Sequence, residues 1–279
     1  MKINHKAEVF IPLNSEKQSA FKGVTHLAIA AHQDDIEIMA QHGILSCFGK
    51  VDKNFSAVVC SDGAGSPRSG IYENYTNQEM MEIRKMEQKK AAVIGDYASL
   101  FLLKHPSDLI KDGNERTIIE DIKSIIMELK PQIIYTHNPG DKHDTHVAVC
   151  LRVIKALVEI APSYKPEAVY GCEVWRGLDW LNDNEKIVLD VSEHPGVKAA
   201  LLGVFDSQIA GGKRYDLATL GRFSSNATFY ASHETDHADA LSYAIDLTPL
   251  IDGADVAEFM FAYINKFAMD VEEKIGRMI

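Results

Sequence analysis

The stretch Leu27-Ala28-Ile29-Ala30-Ala31-His32-Gln33-Asp34-Asp35-Ile36-Glu37 decides the reading of the fold. Its first five residues, 27–31, are small or apolar and uncharged. A parallel strand covered on both faces has this continuous character, whereas a half-exposed strand alternates. Polar residues follow, and 37–48 then reads as a helix that stops near Gly49. A strand that passes into a helix through a polar turn is half of a βαβ unit. Here the turn holds His32, Asp34 and Asp35, residue types that bind metals and carry protons.

The alternation continues outward from this stretch. Strands are expected at 56–60, 99–103 and 133–136. Between them, 76–94 reads as a helix with Thr76 or Asn77 as N-cap, apolar Met80, Ile83 and Met86, and Gly95 as the stop. The next helix, 117–129, carries Ile118, Ile122, Ile125 and Ile126 on one face and ends before Pro131. Another, 145–160, ends before Pro162. This spacing predicts an α/β fold with a mostly parallel sheet flanked by helices. Downstream, 168–175 and 186–191 read as strands, as does 227–231, while 197–205 and 256–278 read as helices. No repeat, low-complexity tract or Pro/Ser-rich linker divides the chain, so one domain over 1–279 with an irregular C-terminal elaboration is expected.

Composition narrows the function classes. The 279 residues contain 29 Lys plus Arg and 40 Asp plus Glu, a net charge of −11. That balance argues against a general nucleic-acid binder and against a polybasic membrane-surface protein, both of which need basic patches. No stretch of about 18 uncharged apolar residues suggests a transmembrane helix. The first 23 residues lack the apolar core of a signal peptide, so the expected location is cytoplasmic. Cys47, Cys60, Cys150 and Cys172 are widely spaced, form no C-x-x-C pair, and read as small buried hydrophobes.

A second cluster, His137-Asn138-Pro139-Gly140-Asp141-Lys142-His143-Asp144-Thr145-His146, follows the strand at 133–136. Both clusters lie on strand-to-helix connections. In an open parallel sheet these connections share the carboxyl edge, where ligands bind near a switch in strand order. Two imidazoles and one carboxylate would give zinc three protein ligands and leave one coordination position open. His32 and Asp35 supply two of them, and a histidine of the second cluster completes the set. Asp34 remains as a carboxylate suited to general-base work, and a spare histidine as an acid or oxyanion partner. An Asp-Asp pair before a helix also serves as N-cap and dipole partner, so the argument rests on the two clusters together.

At these residues the chain resembles a known family. AHQDDIE (31–37) is similar to the AHPDDE signature of the PIG-L/LmbE-like N-acetylglucosaminyl deacetylases, and HDTHVAV (143–149) resembles their second signature, H-x-D-H followed by a helix. The Glu-rich helix with Arg84 and Glu87 also fits, and the likeness covers about 24–175. The resemblance implies a Rossmann-like fold and one Zn2+ held by His32, Asp35 and His146. It implies Asp34 as the base that activates the attacking water, and His143 as the group that stabilises the oxyanion or protonates the leaving amine. The implied reaction removes an N-acetyl group from an N-acetylglucosamine-type small-molecule amino sugar, and a homo-oligomer is suggested. The chain departs from the family at two places. Gln33 replaces the usual proline, and Thr145 stands where an aspartate is usual, leaving Asp144 or Asp141 to tune His143.

Other readings compete. His233-Glu234-Thr235-Asp236-His237 matches H-E-x-x-H, the zinc-protease motif, with Glu258 as a distant third ligand. That motif needs both histidines on one helix, whereas 227–231 reads as a strand. A non-catalytic sugar-binding module on the same fold is the alternative that Thr145 brings forward. No G-x-S-x-G elbow supports serine catalysis. The Gly-rich loop 61–70 reads either as a surface loop or as a substrate lid, with Arg68 reaching a hydroxyl or phosphate. It matches neither G-x-G-x-x-G nor a P-loop. Trp175 and Trp180 suit packing or sugar stacking, and 208–222 is a segment expected near the pocket or a neighbouring subunit.

Overall fold

The computed structural model describes residues 1–12 and 17–279. Its elements run β1 Glu8–Phe10, α1 Lys17–Phe21, β2 Val24–Ala30, α2 Asp35–Met39, α3 Gln41–Cys47 and β3 Asn54–Ser61. They continue with α4 Asn77–Ile94, β4 Ser99–His105, α5 Ser107–Lys111, α6 Thr117–Leu129, β5 Ile133–His137, α7 Asp144–Ile160 and β6 Ala168–Cys172. The remainder is β7 Ile187–Asp190, α8 Pro195–Gly203, α9 Asp206–Ile209, α10 Tyr215–Phe229, β8 Leu241–Asp246 and α11 Val256–Gly276.

The eight strands form one sheet in the order β1-β4-β3-β2-β5-β6-β8-β7. β4, β3, β2, β5 and β6 are mutually parallel, β1 and β8 pair antiparallel to that set at its two sides, and β7 pairs antiparallel to β8. The chain therefore moves outward from β2 through β3 and β4, then returns to β2's other side with β5. The crevice between β2 and β5 is the switch in strand order, where their carboxyl ends open toward a ligand.

Both faces of the sheet are covered, which is why the inner strands are dominated by apolar residues. One face packs Leu27, Ile29 and Val58 against Ile122, Ile125, Val149 and Val153 of α6 and α7. The other packs Ala28, Ala57 and Val59 among Ile44, Ala91 and Leu201 of α3, α4 and α8. Each fully buried aliphatic side chain contributes about 1.5–3 kcal/mol. The four cysteines are free and buried, in keeping with packing roles. Among the described residues no helix is long and apolar enough to cross a membrane.

Three local readings are corrected. The helix expected over 37–48 starts earlier and breaks at Ala40 (φ −112°, ψ 23°) into α2 and α3. After the break α3 lies so close to the sheet that a Cβ on Gly43 would stand 2.6 Å from the Tyr135 ring. The strand expected at 227–231 is instead the end of helix α10 and the turn after it. Its Gly, Ser, Asn and Thr content is helix-poor, and its helical state rests on tertiary partners. Phe223 is buried, and Asn226 donates to Glu173 Oε1 at 2.6 Å and to the Leu241 carbonyl. β8, not expected, adds to β6 and β7, so the C-terminal part completes the same sheet.

Candidate metal centre

The turns after β2 and β5 leave the sheet on either side of the switch. Ala31 N–H donates to His137 Nε2 at 2.9 Å, which ties the two turns together. His32 Nδ1 stands 3.1 Å from Asp35 Oδ2 and 3.1 Å from His146 Nε2, and the latter two atoms are 3.3 Å apart. Three lone-pair atoms thus form a near-equilateral triangle. Ligands at about 2.0–2.1 Å from a tetrahedral ion have edges of about 3.3–3.4 Å. The triangle therefore has the size of one face of such a site.

Its electrostatics favour positive charge at the same point. Burial pushes the Asp35 carboxyl up, but His146 and His32 beside it hold it well below the usual carboxylate range. Burial opposes charge on His146, yet Asp35 and Asp141 overcome this and draw it up to about 9. Burial pushes His32 down, against the pull of Asp35. The donor set thus asks for a cation where the three lone pairs meet. His137 stacks on His146 with ring centroids 4.0 Å apart. Because its Nε2 is taken by Ala31, His137 braces the His146 ring.

Asp34 sits in the same turn in a left-handed backbone conformation, φ 91°. A non-glycine residue there costs of order 1–3 kcal/mol and persists only where its surroundings fix it. They do so from α4. Asp34 N–H donates to Gln88 Oε1 at 3.1 Å, and Gln88 Nε2 donates to Glu37 Oε1 at 2.8 Å. Tyr97 OH donates to the same Glu37 oxygen at 2.6 Å. Arg84 donates to the Gln33 carbonyl and to Ser66 Oγ, and stands 3.4 Å from Asp34 Oδ2. Burial raises Asp34 to about 8 against the pull of Arg84, and burial likewise raises Glu37 to about 8. The Gln33 side chain donates to the Ser61 carbonyl and packs on Gly63. At Gly63, where φ is +82°, a Cβ would meet Gln33 at 2.7 Å.

His143 is the N-cap of α7, and its Nδ1 accepts from Thr145 N–H at 3.3 Å. That leaves its Nε2 as the protonated nitrogen. Its ring stacks on His146 at 4.6 Å and meets His32 edge-on at 4.9 Å. Burial and the neighbouring His146 and His32 push its pKa down. Asp141 accepts from His143 N–H at 3.0 Å and lies 3.6 Å from His146 Nδ1, so it serves the turn and His146 rather than the His143 ring.

A cavity of about 630 Å³ opens above these groups, lined at its base by His32, Asp34, Asp35 and His143. Trp175, Lys213, Tyr215 and Arg222 line it as well, so the segment 208–222 does reach the pocket. Arg68 is not among the lining residues. Its guanidinium bonds the Ala64 carbonyl at 2.9 Å and Asn77 Oδ1 at 2.6 Å, which corrects the expectation that it reaches a substrate. The protease motif is corrected too. His233, Glu234 and His237 are exposed in the irregular segment after α10, not on a helix. Two further groupings around the triangle, His32 with His143 and His146, and Asp35 with His137 and His146, also bring ligand atoms close enough to share an ion, all at the same sheet edge. Sequence reasoning missed Gln88 and the bracing role of His137. The available signal for Gln88 was a polar residue one turn after Arg84 on the inward face of α4.

Comparison with known proteins gives the following. A family model described as PIG-L, GlcNAc-PI de-N-acetylase, matches residues 27–170. No curated protein sequence matches the chain. The N,N'-diacetylchitobiose deacetylase of Pyrococcus horikoshii superposes with a TM-score of 0.63 at 15% identity, covering 86% of this chain and 89% of that one. The A40926 pseudoaglycone deacetylase gives 0.59 at 16%, covering 84% and 100%. The 4-carboxy-2-hydroxymuconate hydratase of Pseudomonas putida gives 0.58 at 16%, covering 80% and 96%. At such identities the likeness establishes the shared fold.

Proposed function

The chain belongs to the PIG-L family of N-deacetylases, hydrolases of amide bonds, and from that premise we propose a zinc-dependent enzyme that removes an acetyl group from an N-acetylglucosamine-type amino sugar. The observation that carries the reading is the triangle of His32 Nδ1, Asp35 Oδ2 and His146 Nε2, with His32, Asp35 and the neighbouring Asp34 lining the cavity and His146 buried behind them. In this reading those three residues hold the metal. Zinc supplies Lewis acidity, polarising an acyl carbonyl and lowering the pKa of water to about 7.

The protein's own groups do the rest. Asp34 accepts the proton of the attacking water, and Arg84 and Gln88 fix its carboxylate and backbone for that task. His143, with Nδ1 engaged by Thr145 N–H, presents Nε2–H to the developing oxyanion and then protonates the leaving amine. Thr145 thus acts through its backbone, and no carboxylate is needed to set that tautomer. The domain reading that accompanies this is a single unit over 1–279. It is supported by β7 and β8, which extend the sheet that carries the site.

Acetate release from N-acetylglucosamine and its simple glycosides, with and without a chelator, tests the proposal. Release should require metal, and His146→Ala should lose both metal and activity. Release that persists in excess chelator overturns the zinc reading, and tight sugar binding without any release favours a binding module.

A further inference from the structure

We propose that the outer wall of the cavity is a subsite for an oxyanion, a carboxylate or phosphate carried by the substrate on the part remote from its N-acyl group. This rests on the deacetylase reading and names the class of substrate. The argument begins with charge. The chain has 40 acids against 29 bases, yet the cavity lining has four cations, Arg84, Lys111, Lys213 and Arg222, against two carboxylates, Asp34 and Asp35. Both carboxylates lie at the reacting end. Arg84 is engaged there by Asp34 and Ser66, and Lys111 pairs with Asp108 at 2.9 Å.

Lys213 and Arg222 differ. Among the described residues neither is ion-paired. Arg222 donates to the Val174 carbonyl, which leaves most of its five N–H donors for another acceptor. The nearby acid Glu173 has its oxygens taken by Leu178 N–H, Tyr243 N–H and Asn226. Lys213 Nζ stands over the Trp175 ring, 5.3 Å from its centre.

Trp175 links this wall to the reacting end. Its ring centre is 6.2 Å from that of His143, and its backbone N–H donates to Asp141 Oδ2 at 3.0 Å. A substrate with its amide at His143 would therefore carry its far group along the indole toward Lys213 and Arg222. An unpaired guanidinium and ammonium in a cleft attract an oxyanion, and the guanidinium fork suits carboxylate or phosphate geometry.

The test compares three N-acetylglucosamine derivatives: the neutral methyl glycoside, the carboxymethyl glycoside and the 1-phosphate. The expected KM for one or both anionic compounds is at least tenfold below that of the methyl glycoside. The anionic compound preferred identifies the group. In the K213Q/R222Q double variant the ratio should fall to within about twofold of unity. K213Q alone, at an exposed position, keeps the question open to measurement if Arg222→Gln disturbs folding, and it should reduce the ratio at least threefold. Equal KM values in the unmodified enzyme overturn the proposal, as does a preference that survives these substitutions. If no compound releases acetate, the deacetylase reading fails. Calorimetric binding of the same three compounds then decides the subsite by the same comparison.

Discussion

The parallel strands β2 to β6 and the segment from residue 176 onward both reach the cavity, but they bring different things to it. The first part delivers His32, Asp34, Asp35, His143 and His146 from two turns at one sheet edge, each backed by buried partners. The second delivers Lys213, which is exposed, and Tyr215 and Arg222, which are half-buried. Reacting groups need fixed positions, and regular elements supply them. Groups that select a substrate tolerate a looser setting, and an irregular segment can vary without disturbing the chemistry. The division predicts that damage to the first part changes turnover, whereas damage to the second changes substrate affinity.

The largest effect is expected at Asp34. Asparagine tolerates a positive φ, so Asp34→Asn should fold and keep its metal while kcat falls by about 10²- to 10⁴-fold, the range for a lost general base. Metal content and acetate release measure this together. Undiminished kcat removes Asp34 from the mechanism.

Next is Gln88→Leu. It leaves the buried Asp34 N–H without an acceptor, at about 1–3 kcal/mol, and takes one of two donors from Glu37, which keeps Tyr97 OH. Urea unfolding should show the loss, and kcat should fall with KM little changed. Normal stability would mean that the strained turn holds itself.

On the cavity wall that Trp175 forms with the second part, Trp175→Ala should raise KM about tenfold and leave kcat within a few-fold, the signature of lost uniform binding. A fall in kcat comparable to that of Asp34→Asn would break the division between the two parts.

The smallest effect lies far from the cavity, on edge strand β1. Burial raises the Glu8 carboxyl, but Lys104 and Lys89 outweigh this and hold it at about 2, below its ordinary 4.5. A lowered folded-state pKa means stability that is present above pH 4.5 and lost as pH falls toward 2. The Glu8 side chain is 31% exposed and its pairs face solvent at the sheet edge, so Glu8→Gln should cost only about 0.5 kcal/mol at pH 7. The difference from the parent should vanish near pH 2. A pH-independent difference would assign the effect to packing.

The same division governs what could be read from residues alone. Strands buried on both faces announce themselves as apolar runs, so β2 to β6 were legible, and the switch between β2 and β5 made two distant His/Asp clusters one site. The break at Ala40 was not legible, because it depends on how closely Gly43 approaches Tyr135. Residues 227–231 read as a strand because Ala-Thr-Phe-Tyr-Ala favours one locally, and only the burial of Phe223 and Asn226 makes the segment helical. β8, Leu-Ser-Tyr-Ala-Ile-Asp, is not a continuous apolar run and gains its place from the strands on either side. Lys213 and Arg222 belong to no motif, and only the folded chain sets them across from the reacting turns. Arg68 shows the reverse: it lies in a suggestive loop, but its charge is turned back onto Ala64 and Asn77.

The two tryptophans differ in a way that makes the protein its own optical reporter. Trp180 packs against Phe267 of α11, with ring centres 6.4 Å apart, remote from any reacting group. Trp175 is 38% exposed inside the cavity, with the Lys213 ammonium over its ring and the His143 ring 6.2 Å from it. Indole emission is quenched by neighbouring protonated groups and shifts when water leaves its surface. A ligand that displaces Lys213 or excludes solvent there changes Trp175 emission, while Trp180 contributes a constant background. With Trp180→Phe the remaining signal comes from the cavity alone, so binding can be followed under conditions in which no bond is broken.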